Sequence, residues 1–257
     1  METYIIYFMT AYIVNIIITS AVHFTSFYIV TGARADVVFT KFFILPTTFK
    51  KFISYLLSVD YWSAASFKTN IAASDKKCLA SFMKKSNWIN FILSTVVFIS
   101  LITILCFSGQ KNLPDLYVLV KLIWVIRTIS RSFEIIIAFG KDVIDDEVKK
   151  SDLKPGDRIK LAIISNFETT LNYAVIYSIY QFSFSEVSCV NANCQEVICQ
   201  PDTFSGYFFS SLGVSTFTNV SFSSCNTMLQ NLFISLHLIT AMSLIFFAIA
   251  KYISDKK

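Results

Sequence analysis

Thirty consecutive residues, Tyr4 to Ala33, contain no Asp, Glu, Lys or Arg. At about 1.5 Å per helical residue, such a run is longer than the roughly 30 Å hydrocarbon core of a bilayer, so its helix has to tilt or extend past it. Trp88 to Phe107 and Met228 to Ala250 are equally free of charge, and Leu161 to Phe184 carries one acid, Glu168. A fifth run, Leu116 to Phe139, holds Lys121, Arg127, Arg131 and Glu134, but its flanks require it to cross. A water-soluble domain clothes its surface with about 25% charged residues. This chain has 15% charged and 54% hydrophobic residues. The expectation is an all-α membrane protein with five transmembrane helices, or six if Val37 to Trp62 also crosses. Lys41, Pro46, Lys50 and Lys51 interrupt that last region, which reads as an amphipathic segment at the cytoplasmic interface.

Sidedness follows from the basic residues. Nine of the 22 lie between Arg34 and Lys85, six between Lys141 and Lys160, and three from Lys251 to the end. None falls between Phe184 and Asn226. By the positive-inside rule these three segments, the C-terminus among them, are cytoplasmic, and the Lys- and Arg-free stretch is external. The net charge of +5 is thus explained without nucleic acid. Residues 1–33 lack a basic n-region and read as an uncleaved first helix. The mixed-charge stretch Lys141 to Lys160 reads as a surface helix broken at Pro155-Gly156.

Cys189, Cys194, Cys199 and Cys225 all fall in the external stretch, where disulfides form. Three pairings are open. The spacing contains no CxxC and no nearby His, which disfavours zinc. With only two histidines, His23 and His237, both inside apolar runs, no catalytic constellation, metal site or cofactor site is expected.

Pro201-Asp202-Thr203 has the form of a helix start, with Asp202 placed to cap. Phe204 to Val214 is then an apolar helix of about three turns, too short to cross. The polar run Ser215, Thr216, Phe217, Thr218, Asn219, Val220 and Ser221 follows, and the whole has the form of a re-entrant loop. Asn219-Val220-Ser221 also matches a glycosylation sequon, which a pore loop would leave unused.

This order of span, cysteine-bearing turret, short helix, Thr-containing loop and final span resembles the pore domain of the tetrameric potassium channel superfamily, in its small bacterial form. Phe208-Phe209-Ser210-Ser211-Leu212-Gly213-Val214-Ser215-Thr216 is similar to the family's pore helix, and Ile163 to Tyr180, with Asn166, Glu168 and Tyr173, to its outer helix. The resemblance covers roughly residues 117–252. It implies a homotetramer in the plasma membrane, with an N-terminal region over residues 1–160 and a pore domain over 161–257. Passive flux of monovalent cations is the function it implies.

The filter departs from the family. Where the family has Thr-Val-Gly-Tyr-Gly-Asp, this chain has Thr216-Phe217-Thr218-Asn219-Val220-Ser221. Both glycines are gone, and β-branched Thr218 and Val220 resist the backbone angles that a potassium-selective carbonyl cage needs. A wider, weakly selective pore lined by hydroxyl and amide oxygens is expected, with a non-conducting structural or regulatory subunit as the rival. On the final span, Asn231, Ser235, His237, Thr240 and Ser243 are candidate cavity-lining groups, though such residues also bond between membrane helices. His237 would sense pH if it met water and would stay neutral if buried. Lys121, Arg127 and Arg131 are spaced by six and four residues. That spacing does not give the every-third-residue stripe of a voltage-sensing helix, and Glu134 and Glu168 offer local partners.

Overall fold

The computed structural model describes residues 2–32, 58–72, 76–107, 114–144, 153–182, 184–190, 193–199, 204–220 and 226–245. For 184–190 and 193–199 the backbone alone is described. The elements are α1 (Glu2–Thr31), α2 (Val59–Ala72), α3 (Lys76–Phe107), α4 (Pro114–Ile144), α5 (Pro155–Ile179), β1 (Phe184–Val190), β2 (Asn193–Cys199), α6 (Phe204–Ser215) and α7 (Met228–Met242). Among the described residues the elements are helical apart from one antiparallel hairpin. Among the described residues, two helical stretches are long and apolar enough to cross a membrane. Tyr4–Thr31 has mean hydropathy 2.0, and Met228–Ile245 has mean hydropathy 1.6.

Three of the helices, α1, α3 and α5, each bury a polar stripe and expose large apolar side chains. On α1, Asn15, Thr19, His23 and Ser26 are buried, while Ile5, Ile6, Met9, Ile13 and Ile17 are exposed. On α3, Ser86, Asn90 and Ser94 face inward, and Trp88, Ile92, Val96 and Ile99 face outward. On α5, Ser165, Glu168, Thr169 and Asn172 are buried, and Ile163 and Phe167 are exposed. Water drives apolar surface inward and tolerates only small apolar patches. A hydrocarbon solvent imposes the opposite arrangement, because polar groups there must find partners inside the protein.

The polar faces meet at one level. Thr19 lies 12 residues before the end of α1 and Arg131 lies 13 before the end of α4, while Asn90 and Glu168 lie 14 and 13 residues after the starts of α3 and α5. Each is thus about 20 Å from its helix end at 1.5 Å per residue. Arg131 bonds Glu168 through Nε at 2.8 Å and Nη2 at 3.0 Å, donates to Asn87 Oδ1 at 2.7 Å, and pairs with Glu134 through Nη1. Arg127 donates to Asn90 Oδ1 at 2.7 Å and lies 3.8 Å from Asp60. Asp60 also accepts from Thr19 at 3.1 Å and Ser130 at 2.6 Å. Among the described residues, Lys84 Nζ pairs with Asp157 Oδ2 at 2.9 Å where α3 and α5 begin. That hydrogen bond, with the nearby lysine charges, holds the Asp157 carboxyl below the ordinary carboxylate range.

Three expectations change. Residues 37–57 lie outside the described set, and of the remainder of that region the start is drawn into the helix bundle. Ser58 and Asp60 are fully buried. Ser58 Oγ caps α2 by accepting from Tyr61 N and donates to the Ser130 carbonyl. From that buried start α2 runs beside α1, with His23 against Ser63 and Phe27 against Phe67. The break expected at Pro155-Gly156 is a beginning instead, since Pro155 opens α5 where its missing N–H costs nothing. Lys141 to Ile144 continue α4, and residues 145–152 lie outside the described set. The run Leu161 to Phe184 is not all helix, because α5 stops at Ile179 and β1 starts at Phe184.

Candidate functional site

The short helix forms where the sequence places it. α6 runs from Phe204 to Ser215 and packs on α5 and α7. Tyr207 and Val214 enter a core with Trp124, Tyr173, Ile176, Tyr177, Phe182, Phe233 and Ile234. α7 opens at Thr227, whose hydroxyl accepts from Gln230 N while Gln230 Oε1 accepts from Thr227 N. This reciprocal cap fixes the start of the helix, and Gln230 Nε2 ties it to the carbonyl of Tyr180, the residue that caps the end of α5, at 2.9 Å.

The loop after α6 closes the helix end in a Schellman turn. Phe217 N donates to Val214 O and Thr218 N donates to Gly213 O, with Phe217 in the left-handed region at φ 60°. That position usually belongs to glycine. Asn219 N also reaches Gly213 O, at 3.2 Å. The return is so close that a Cβ on Gly213 would lie 2.8 Å from Asn219 Cβ. Gly213→Ala therefore has to displace residues 217–219. The expected result is faster proteolysis of the loop and a lowered Tm, and an unchanged digestion pattern would show that the close approach does not exist.

Thr216 and Thr218 are exposed, and Phe217, Asn219 and Val220 are partly so. Thr216 Oγ1 donates to Leu212 O at 2.8 Å, and its oxygen lies 3.0 Å from Thr218 Oγ1, which also lies 3.4 Å from Gly213 O. A hydroxyl has one proton. Thr216 donates to Leu212, and the Thr216 and Thr218 hydroxyls share a contact in which either can donate. Both hydroxyls stand at the exposed rim and keep lone pairs able to accept. Ser221 and Cys225 lie outside the described residues, as do residues 200–203 with Asp202.

Ser215 points the other way and is fully buried. Its Oγ lies 2.8 Å from His237 Nε2 and 2.7 Å from Thr170 Oγ1, and His237 Nδ1 lies 2.8 Å from the Tyr177 hydroxyl. The protons can be assigned. Thr170 Oγ1 donates to the Asn166 carbonyl, which can only accept, so Thr170 accepts from Ser215. Ser215 has then spent its proton and accepts from Nε2–H of a neutral His237, whose Nδ1 accepts from Tyr177. The imidazole also stacks on Tyr173, with ring centroids 4.1 Å apart and planes at 1°, and the Tyr173 hydroxyl meets Ser132 of α4 at 3.1 Å. Ser211 Oγ adds a 2.7 Å bond to the Thr170 carbonyl. One histidine thus locks α5, α6 and α7 together one residue before the exposed loop.

Of the candidate cavity residues, His237 and Thr240 are buried within this chain, while Asn231 and Ser235 are partly exposed. Thr240, Ser235 and Ser243 return their hydroxyls to carbonyls one turn earlier on α7. Sequence reading missed Thr170 and Tyr177, the other anchors of the latch. Among the described residues, no group of three or more His, Cys, Asp or Glu side chains is placed to hold a metal ion. The chain matches no protein-family model, no curated protein and no solved structure, so the chemistry of its own residues is what speaks for its function.

Proposed function

We propose that the protein is an integral membrane protein that conducts monovalent cations passively and with weak selectivity. In this reading α1, α3, α4, α5 and α7 cross the bilayer. Four copies surround a pore built from α5, the hairpin, α6, the loop 215–221 and α7. The observation that carries the reading is the pair of exposed hydroxyls that the loop holds at the end of α6. Thr216 and Thr218 are exposed, and their hydroxyl oxygens keep lone pairs that can accept, as a cation requires. The C-terminal end of α6 adds partial negative charge of the same sense. The buried polar stripes and exposed apolar faces of α1, α3 and α5 support a bilayer as the solvent. No enzymatic step, cofactor or nucleic-acid partner enters this reading.

A non-conducting structural or regulatory subunit is the second reading, and one observation favours it. Gly213 O accepts from both Thr218 N and Asn219 N, so the loop folds back on its helix and does not extend into a column of carbonyls. Flux of a monovalent cation into proteoliposomes separates the two. The conducting reading expects flux from wild type that Thr218→Trp reduces at least tenfold, because an indole replaces the hydroxyl at the exposed rim. Equal flux through both proteins, or none through either when both are folded, would refute it.

A further inference from the structure

By spacing alone, the four cysteines of the Lys- and Arg-free stretch allow three pairings. The hairpin register separates them. Cys189 and Cys194 are Cα partners across β1 and β2, next to Val190 and Asn193, the last pair before the two connecting residues. Directly opposed residues of an antiparallel pair have Cα atoms about 4.5–5.5 Å apart. That is inside the roughly 4.4–6.8 Å range of disulfides. Opposed residues also share a face of the sheet, as a bridge requires.

Cys199 is at the other end of the hairpin, paired with Phe184. It lies five residues along β2 from Cys194, a distance of about 17 Å at 3.4 Å per residue. Two cysteines more than about 7 Å apart cannot be bridged without moving the backbone. An odd separation also puts Cys199 on the opposite face from Cys194. Geometry therefore excludes it as a partner for either cysteine at the tip.

We propose that Cys189 and Cys194 form a disulfide that staples the hairpin near its tip, and that Cys199 is partner to neither. The two thiols lose two protons and two electrons as the sulfur–sulfur bond forms. The electrons pass to a disulfide-bearing oxidant of an oxidising compartment, which leaves as a dithiol after exchange through a mixed disulfide. The bridge locks the register of a two-stranded unit that would be marginal alone, since a one-residue slip would take the cysteines out of opposition. The proposal rests on the external placement of the hairpin and is independent of whether the protein conducts.

The test is peptide mapping of the full-length protein from membranes quenched with N-ethylmaleimide and digested without reductant. The expected peptide spanning residues 189–194 carries no adduct, is two hydrogens lighter than the dithiol, and gains two adducts only after reduction. Cys189→Ser should expose Cys194 to alkylation, and Cys199→Ser should leave the bridge intact. A link from Cys189 or Cys194 to Cys199 or Cys225 would overturn the proposal, as would two free thiols that stay open after treatment of the folded protein with oxidised glutathione. Thiols that are free on isolation but close with oxidised glutathione would keep the pairing and refute the external placement.

Discussion

Arg131→Leu is expected to destabilise the protein by about 3–5 kcal/mol, the usual cost of removing one partner from a buried charge cluster. Arg131 is 4% exposed and Glu168 is fully buried, and no bulk water reaches the cluster to screen what remains. The guanidinium bonds Glu168 with two of its nitrogens, Glu134 with a third and Asn87 as well. A planar fork can do this from one position. An ammonium on a flexible stem cannot, so Arg131→Lys should recover only part of the loss. Neutralising the acids together with the arginine, in a triple variant with Glu134→Gln and Glu168→Gln, should recover more of it, because the cost lies in unpaired buried charge and not in the missing bonds. Thermal unfolding of the four proteins in detergent checks the series. An Arg131→Leu protein with wild-type Tm would mean that the cluster is hydrated and open.

His237→Ala should cost about 2–4 kcal/mol and loosen the loop at 216–219. The change opens a cavity against Tyr173 and strands the Tyr177 hydroxyl, and each buried group left unsatisfied costs about 1–3 kcal/mol. His237→Phe preserves the stacking on Tyr173 but serves neither Tyr177 nor Ser215, so it should also fall short of wild type. His237→Gln can still offer a donor to Ser215 and should be the mildest of the three. Tm together with the rate of proteolytic cleavage between 216 and 220 reads both effects. If all three variants match wild type in both, the relay from Tyr177 to Thr170 does not hold the loop.

Long uncharged runs were enough to foresee α1 and the start of α7, because in those segments one property, hydropathy, decides both existence and extent. The short helix α6 was legible from its length and polar follow-on, and Glu134 and Glu168 were foreseeable as partners for Arg131. Asp60 was not, because it belongs to a segment whose lysines suggested a surface, and a capping serine together with Arg127 draws its end into the bundle. A signal for that interior existed. Asn15, Thr19 and His23 on α1, and Ser86, Asn90 and Ser94 on α3, repeat every four residues within apolar runs, which marks a polar stripe that has to face inward. The latch was half legible. His237 could be read as a buried neutral histidine, but its partners Tyr177, Ser215 and Thr170 sit on two other helices, where spacing along the chain says nothing. The Schellman turn was hidden by Phe217, which holds a position where glycine would have announced it.

The central claim is tested most directly by recording from the purified protein in planar bilayers with a potassium gradient across the membrane, then replacing potassium with sodium and with a large organic cation. The account predicts discrete currents that reverse on the cation side of zero and pass potassium and sodium alike. Silence across voltages from protein shown to be folded and tetrameric would contradict it.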